Sequence, residues 1–128
     1  MFDVVCAVIY VGEKILVTQR SKKMKLPLKW EFPGGKLEKD EKEIDCIKRE
    51  LKEELNIEVK VIKKLTNSIY DYSTFQINLI PYVVEYVSGE IILAEHASYK
   101  LLEKDSLNTL DWAEADLPII KELLNSEI

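Results

Sequence analysis

The sequence is poor in cysteine, glycine, proline and histidine, and it has no long run of apolar residues. Its two cysteines, Cys6 and Cys46, lie in apolar surroundings at no metal-ligand spacing, so we expect reduced core thiols and neither a disulfide framework nor a zinc site. The longest stretch without a charge, 72–84, is too short to span a bilayer and contains Gln76 and Asn78. No basic leader precedes the first apolar segment. These absences predict a soluble, cytoplasmic protein with no membrane partner.

The charge balance of the chain is acidic. There are 23 Asp and Glu residues against 18 Lys and Arg, which gives a formal net charge of −5. A protein that binds nucleic acid polymers irrespective of sequence needs a basic surface, so this balance argues against that class. The chain has 128 residues, 47% of them hydrophobic, and no repeat or Gly/Ser-rich linker divides it. We therefore expect one domain over residues 1–128, acting as a monomer or a homodimer.

Apolar segments predict several strands, and one central segment has helical periodicity. We expect strands over residues 2–11, 15–20, 30–32, 57–65, 68–72, 75–87 and 99–102. We expect helices over residues 41–55 and 116–125. Because several of these strands follow one another through short turns, part of the sheet should be antiparallel. The order of elements predicts an α/β domain with a mixed, partly antiparallel sheet.

Both predicted helices have recognisable end signals. Asp40 is a candidate N-cap of the central helix, and Asn56 is a candidate stop because Asn tolerates the left-handed conformation. Asp116 is a candidate N-cap of the last helix, with Pro118 in its first turn. The central helix is expected to bury one stripe, formed by Ile44, Ile47, Leu51 and Leu55.

Two of the four glycines are adjacent, at Gly34 and Gly35, directly after Pro33. Glycine permits positive φ and a close approach of the backbone to a ligand. The same triplet is also an ordinary turn, so the glycine pair alone does not distinguish a ligand loop from a turn. Its meaning depends on the segment that follows.

Three glutamates share one face of the central helix. At about 100° per residue, Glu50, Glu53 and Glu54 point in neighbouring directions, beside the buried stripe. Like charges at this spacing repel, and a cation between them removes the penalty. Oxygen ligands without His or Cys favour Mg²⁺ or Mn²⁺. The alternative is a solvated acidic stripe relieved by Lys48 and Lys52.

The glycine pair and the glutamate helix together form one spaced motif. It reads Gly35-x5-Glu41-x7-Arg49-Glu50-Leu51-x-Glu53-Glu54-x-Asn56-Ile57. This segment resembles the signature of the Nudix hydrolases, with Asn56 where the family has glycine. The resemblance extends to the MutT-like branch at Arg20, residues 30–38, Glu95 and residues 115–118. It implies an α/β/α sandwich and the cleavage of a nucleoside diphosphate linked to another group, with a divalent metal.

The resemblance also implies roles for individual residues. Mg²⁺, or Mn²⁺ in its place, would be bound by Glu50, Glu53, Glu54, Glu95 and the carbonyl of Gly34. Glu50 would orient or deprotonate the attacking water. Arg49 would hold Glu41 in an ion pair that fixes the glycine segment against the helix, a task suited to the fork of a guanidinium.

In the MutT-like branch the implied reaction converts a nucleoside triphosphate into a monophosphate and pyrophosphate. Hydrolysis at phosphorus needs charge shielding, an activated water and alignment of the attacking and leaving oxygens. The glutamate cluster with its metal ions would supply the first two, and Gly34 and Gly35 would bring backbone groups to the phosphates. A basic segment either steers the polyphosphate inward or belongs to a solvated loop; it contains Lys22, Lys23 and Lys25.

Arg20, Phe32 and Asp116 are the candidate residues for base recognition. An ionised Asp116 only accepts hydrogen bonds, so it favours bases that present N–H groups. This preference is compatible with 8-oxo-dGTP as a substrate, and CTP-like pyrimidine nucleotides are the alternative. A helix cap is the other role open to Asp116. Four aromatic residues either stack on a base or belong to the core, namely Phe75, Tyr82, Tyr86 and Trp112.

Two alternatives belong to other classes of protein. A non-catalytic nucleotide-binding module would keep the fold without turnover, although every acidic position of the motif is filled. An acidic interaction domain with no ligand would keep the same melting temperature in divalent ions. His96, the single histidine, is expected in a surface loop and receives no catalytic role.

Overall fold

The computed structural model describes residues 1–126. Within them the chain forms strands β1 (Phe2–Val11), β2 (Lys14–Gln19), β3 (Trp30–Glu31), β4 (Gly34–Lys36), β5 (Glu58–Lys64), β6 (Ser68–Asp71), β7 (Gln76–Ser88) and β8 (Ser98–Leu102). It also forms helices α1 (Glu43–Leu55) and α2 (Leu117–Leu124), and two short 3₁₀ helices, Lys104–Thr109 and Glu114–Asp116. Each strand predicted from the sequence has a counterpart in the structure, and β4 is an addition.

The strands form one mixed sheet. Its central path runs β3-β2-β1-β7-β5, with β4 paired to β1, β6 to β7 and β8 to β2. The long central pair β1 and β7 is parallel, from Phe2 opposite Ile77 to Tyr10 opposite Glu85. The other pairs are antiparallel. The predicted mixed, partly antiparallel sheet is therefore confirmed.

Strand β1 separates two hydrophobic cores, because side chains on a strand alternate between its faces. Val5, Ala7 and Ile9 pack with Ile47, Leu51 and Leu55 of α1 on one face. Cys6 and Val8 pack with Ile119, Ile120 and Leu123 of α2 on the other. One helix thus covers each face of the sheet, and the α/β/α sandwich is confirmed.

The start of α1 differs from the prediction. Asp40 is not its N-cap: it has a left-handed φ of 63°, and the helix begins two residues after Glu41, with Lys42 at the N-cap and no side-chain cap. Glu41 instead belongs to the turn before the helix. Its backbone N–H donates to the carbonyl of Glu38, which keeps this segment out of the helix. Ile44 therefore lies in the first turn and is exposed, so its predicted burial is wrong.

The end of α1 follows the prediction. Asn56 has a φ of 61°, and its backbone N–H reaches the carbonyls of Leu51 and Lys52. This left-handed residue ends the helix in the way that a C-terminal glycine does in many helices. The exchange of glycine for Asn in the motif therefore leaves the geometry of the helix end intact.

Two expectations from composition concern residues that the structure describes. Cys6 and Cys46 are both buried free thiols, as predicted. None of the helices found in residues 1–126 combines the length and apolar character needed to cross a membrane.

Candidate active site

The glycine pair is not a loop but the short strand β4, laid against β1. A Cβ atom on Gly34 would lie 1.9 Å from the backbone oxygen of Val5, so no other residue fits this pairing without a shift. Gly35 leaves the space that the carboxylate of Glu50 occupies. The sequence motif thus brings the glycine backbone and a glutamate of α1 into direct contact.

The three glutamates of α1 have different surroundings. The side chain of Glu50 is 14% exposed and lies against β4, whereas that of Glu53 is 59% exposed. Glu54 is half-buried, and its Oε2 is buried without a hydrogen-bond donor among the described residues. The shared helix face predicted from the sequence therefore points partly inward, beside β4.

Negative charge is concentrated around Glu54. Burial, together with the nearby charges of Glu50, Glu31, Glu95 and Glu53, raises the pKa of Glu54 to about 8. Burial also raises the pKa of Glu50, against the lowering effect of Arg49. A carboxylate that is surrounded by like charges and lacks a donor is suited to a cation.

No three of the His, Cys, Asp and Glu side chains in residues 1–126 are already arranged as a metal site. The donor set nevertheless fits a hard divalent cation, because the orphaned Oε2 of Glu54 is a carboxylate oxygen and the neighbouring charges are carboxylates too. Gly34, Gly35 and Glu54 line the same cleft. Glu95 is exposed and adds its charge to that of this group.

Arg49 links the turn before α1 to the glutamates. Its Nε and Nη2 donate to the two carboxylate oxygens of Glu41 at 2.8 and 3.0 Å, which confirms the predicted ion pair. Its Nη1 donates to Glu50 at 2.9 Å and to Glu53 at 3.3 Å. Hydrogen bonding to Arg49 lowers the pKa of Glu41 to about 2. Arg49 therefore fixes Glu50 against β4 and also holds the turn that precedes the helix.

Glu31 lies in the cleft wall, and the sequence alone indicates no role for it. Its Oε1 accepts a hydrogen bond from Nη1 of Arg20 at 2.7 Å, and its Oε2 lies 2.8 Å from Nε2 of His96. His96 is buried, so its predicted place in a surface loop is wrong. A polar residue between Trp30 and Phe32 in a short strand was the only available signal, because both partners are distant in sequence.

One cleft of about 310 Å³ is lined both by β4 with Glu54 and by the base-recognition candidates. Gly34, Gly35 and Glu54 lie in its wall together with Arg20 and Glu31. The rest of the wall includes Phe32, Tyr72, Phe75, Leu79, Ala115 and Asp116. The cleft thus joins carboxylates to an apolar and aromatic pocket, and the structure brings Arg20, Phe32 and Asp116 into the same cavity, as the sequence analysis grouped them.

Asp116 occupies the N-cap position of α2, as predicted, but its carboxyl group is buried in this pocket and does not act as a side-chain cap. Its Oδ2 accepts a hydrogen bond from the backbone N–H of Phe32 at 2.9 Å, and its side chain does not cap α2. The segment before it is anchored beside β3, where the N–H of Trp30 donates to the carbonyl of Asp111. Burial, and then the charge of Glu31, raise the pKa of Asp116 well above its usual value. Burial therefore favours the neutral form of Asp116 over the ionised form expected from the sequence.

The aromatic candidates separate into two groups. Phe75 lines the cleft and stacks on Tyr72 with ring centroids 5.0 Å apart. Trp112 is buried behind Phe32, with ring centroids 4.8 Å apart. Tyr82 and Tyr86 pack in the other core, under α1. Only Phe75 among the four candidates lies in the wall of the cleft.

The basic segment before β3 also divides. Lys25 lies in the cleft wall with its Nζ 4.5 Å from the ring centroid of Phe75. Lys22 and Lys23 are exposed. Lys25 is also exposed, but it is the one of these three lysines that lies at the cleft.

The mixed sheet between α1 and α2 defines an α/β protein. The carboxylates of α1 lie against the glycine strand β4, beside an aromatic pocket. A model of the NUDIX domain family matches residues 2–123. The chain therefore belongs to the Nudix family.

Individual relatives agree with this assignment. The chain is 32% identical to the CTP pyrophosphohydrolase of Escherichia coli (strain K12) over 97% of this chain and 92% of that protein. It is 33% identical to the putative 8-oxo-dGTP diphosphatase 2 of Mycobacterium tuberculosis (strain H37Rv) over 94% and 86%. Among solved structures, MutT from methicillin-resistant Staphylococcus aureus 252 is 39% identical, with a TM-score of 0.78 over 97% of this chain and 95% of that one.

Proposed function

We propose that this chain is a MutT-like nucleoside triphosphate pyrophosphohydrolase that forms a nucleoside monophosphate and pyrophosphate. Its preferred substrates are oxidised purine nucleotides such as 8-oxo-dGTP. The observation that carries the proposal is the single cleft that has Glu54 beside β4 in its wall together with Asp116 in an aromatic pocket. Such a cleft has a place for a metal-bound phosphate chain and another for a base.

Divalent metal is the cofactor that the family implies, and we assign Mg²⁺, with Mn²⁺ as a substitute. The residues that would hold it are Glu50, Glu53, Glu54, Glu95 and the carbonyl of Gly34. When bound, the metal shields phosphate charge and lowers the pKa of water. The buried Oε2 of Glu54, which has no donor among residues 1–126, supports this assignment.

Glu50 is the candidate base that orients or deprotonates the attacking water. Burial raises its pKa, and a carboxylate with a raised pKa is a better proton acceptor than a solvated one. Arg49 holds Oε1 of Glu50 at 2.9 Å and so fixes its orientation. Gly34 and Gly35 lie in the cleft wall, where their backbone groups would meet the phosphate chain.

Asp116 is the candidate reader of the base. In the neutral form that burial favours, it both donates and accepts hydrogen bonds, so it can meet the mixed donors and acceptors of an oxidised guanine edge. Phe32 and Phe75 supply flat apolar walls, and Arg20 places a cation in the same cavity. Sanitation of the cytoplasmic nucleotide pool, with its benefit to DNA repair, is the biological role that this substrate implies.

A CTP or dCTP pyrophosphohydrolase is the second candidate function. It is favoured by the relative of that name, which this chain matches over 97% of its length. A non-catalytic nucleotide-binding module is the third possibility, and the filled acidic positions of α1 argue against it. These three candidate functions do not differ in the oligomeric state that they require, so the proposal holds for a monomer or a homodimer.

The test is pyrophosphate release from a panel of nucleoside triphosphates with Mg²⁺. The panel includes 8-oxo-dGTP, dGTP, CTP, dCTP and ATP, with CDP- and ADP-linked compounds beside them. Preference for 8-oxo-dGTP over dGTP supports the proposal, and preference for CTP or dCTP supports the second candidate. Nucleotide binding with no Mg²⁺-dependent turnover of any compound would contradict the enzymatic assignment.

A further inference from the structure

The segment that carries Glu95 is anchored on both sides of that residue. The N–H of Ala94 donates to the carbonyl of Glu54 at 3.0 Å, and the N–H of Ala97 donates to the carbonyl of Gln19 at 2.9 Å. The Glu95 side chain remains exposed between the two anchors. The backbone thus connects Glu95 to the end of α1 that carries Glu54.

His96 provides the side-chain anchor of the same segment. Its side chain is only 1% exposed, and its Nε2 lies 2.8 Å from Oε2 of Glu31. Since an ionised carboxylate only accepts, Nε2 is the donor of this hydrogen bond. The bond crosses from the segment before β8 to the short strand β3.

Both oxygens of the Glu31 carboxylate take part in hydrogen bonds. Oε1 accepts from Arg20 at 2.7 Å and Oε2 from His96. Glu31 lies in the cleft wall with Arg20 and Glu54, and each of its oxygens has one donor. Glu31 therefore connects Arg20 and His96 by hydrogen bonds.

We propose that His96 is a positioning residue, which through its hydrogen bond to Glu31 holds Glu95 where it completes the carboxylate group around Glu54. This inference rests on the proposed function, because it requires a divalent metal at Glu54. Partners that orient metal ligands from outside the coordination shell typically change metal affinity by about 10–100-fold when they are removed. An apolar residue in place of His96 would leave Oε2 of Glu31 without its donor and would release the Glu95 segment.

The experiment measures Mn²⁺ binding to the full chain by titration calorimetry. His96→Leu removes the donor, and His96→Gln restores an N–H close to the position of Nε2. His96→Asn keeps a polar side chain but is one methylene shorter, which provides a second variant if His96→Leu does not fold. Ser68→Ala is the matched control, because it loses a different buried hydrogen bond, to the carbonyl of Ala115 at 2.7 Å.

We expect His96→Leu and His96→Asn to weaken Mn²⁺ binding about tenfold, with substantial recovery in His96→Gln. Ser68→Ala should lower the melting temperature without changing Mn²⁺ affinity. In a Glu95→Gln background, His96→Leu should add less than about a twofold change, because coupled residues are not additive. Pyrophosphate release measured on the same variants should show a higher Mg²⁺ requirement and little change in the KM for nucleotide.

The outcomes separate this inference from the proposed function. Mn²⁺ affinity that is unchanged in His96→Leu, or lowered equally in the Glu95→Gln background, would overturn the positioning role while the enzyme assignment stands. A wild-type chain that binds no Mn²⁺ would overturn the metal site and this inference together.

Discussion

A Cβ atom placed on Gly35 would lie 2.2 Å from the carboxyl carbon of Glu50. The contact explains why a glycine strand and a glutamate helix occur together at fixed spacing. The carboxylate packs directly on backbone, and Arg49 holds it there from the other side. Any side chain at Gly35 competes with the group that we assign as the catalytic base.

Substitutions at the two glycines should therefore have different effects. In Gly35→Ala the new methyl group displaces a flexible carboxylate, so we expect at least a tenfold loss of kcat with a small change in stability. In Gly34→Ala the methyl group meets the backbone of Val5, so we expect destabilisation by about 1–3 kcal/mol, as for overpacked sites. Urea unfolding and pyrophosphate release on both variants check this. Equal losses of stability in the two variants would contradict it.

Arg49→Lys tests the bidentate ion pair. A lysine ammonium cannot reproduce the fork that donates to both oxygens of Glu41 and also to Glu50. We expect a drop in kcat of about tenfold or more and a stability loss of about 1.5–3 kcal/mol, in the range of hydrogen bonds to charged groups. Lys48→Arg, an exposed change one residue away, is the control. A fully active Arg49→Lys enzyme would show that the fork is not needed.

The local parts of this site could be predicted from the sequence. The pairing of Arg49 with Glu41 and the helix end at Asn56 depend on residues close together in the chain, so spacing and intrinsic preference are sufficient. The double burial of β1 follows from its continuous apolar run. The start of α1 was misplaced because Asp40 and Glu41 have good helix-start chemistry, but the ion pair with Arg49 holds Glu41 in the preceding turn.

The non-local parts could not be predicted in this way. Glu31 and His96 are 65 positions apart, and Phe32 and Asp116 are 84 apart. These contacts depend on how β3 docks beside β2 and beside the segment before α2, which no local pattern encodes. The local pattern therefore places His96 at the surface and Asp116 at a helix start, and it does not show that both side chains are buried. The raised pKa of Asp116 likewise depends on burial, which only the tertiary structure reveals.

The raised pKa of Glu54 makes stability depend on pH. Its pKa rises from 4.5 in a solvated state to about 8 in the fold, so the folded state binds more protons between these values. Stability should consequently fall as pH rises from about 4.5 to about 8 and then level off. Mg²⁺ should restore part of it at pH 8. Thermal unfolding across this range, with and without Mg²⁺, measures both effects.

Glu54→Gln is the control for that pH dependence. The amide removes the titrating group and the repulsion, so the fold should persist with a flatter pH profile and a smaller gain from Mg²⁺. Turnover should be lost, since the amide is a weaker metal ligand. An active Glu54→Gln enzyme, or one with the wild-type pH profile, would contradict the place of Glu54 at the centre of the acidic group.

Asp116→Asn tests how the pocket reads a base. The amide oxygen can still accept from the N–H of Phe32, so the fold and kcat for at least one substrate should persist. The remaining NH₂ only donates, whereas a neutral carboxyl both donates and accepts. Discrimination between 8-oxo-dGTP and CTP, as the ratio of kcat/KM values, should therefore shift by about tenfold in favour of the nucleotide that presents an acceptor.

Asp116→Ala provides the comparison, because it removes both functions and leaves the N–H of Phe32 without its partner. An unchanged ratio in Asp116→Asn, with lower stability alone in Asp116→Ala, would show that Asp116 holds β3 in place and does not read the base.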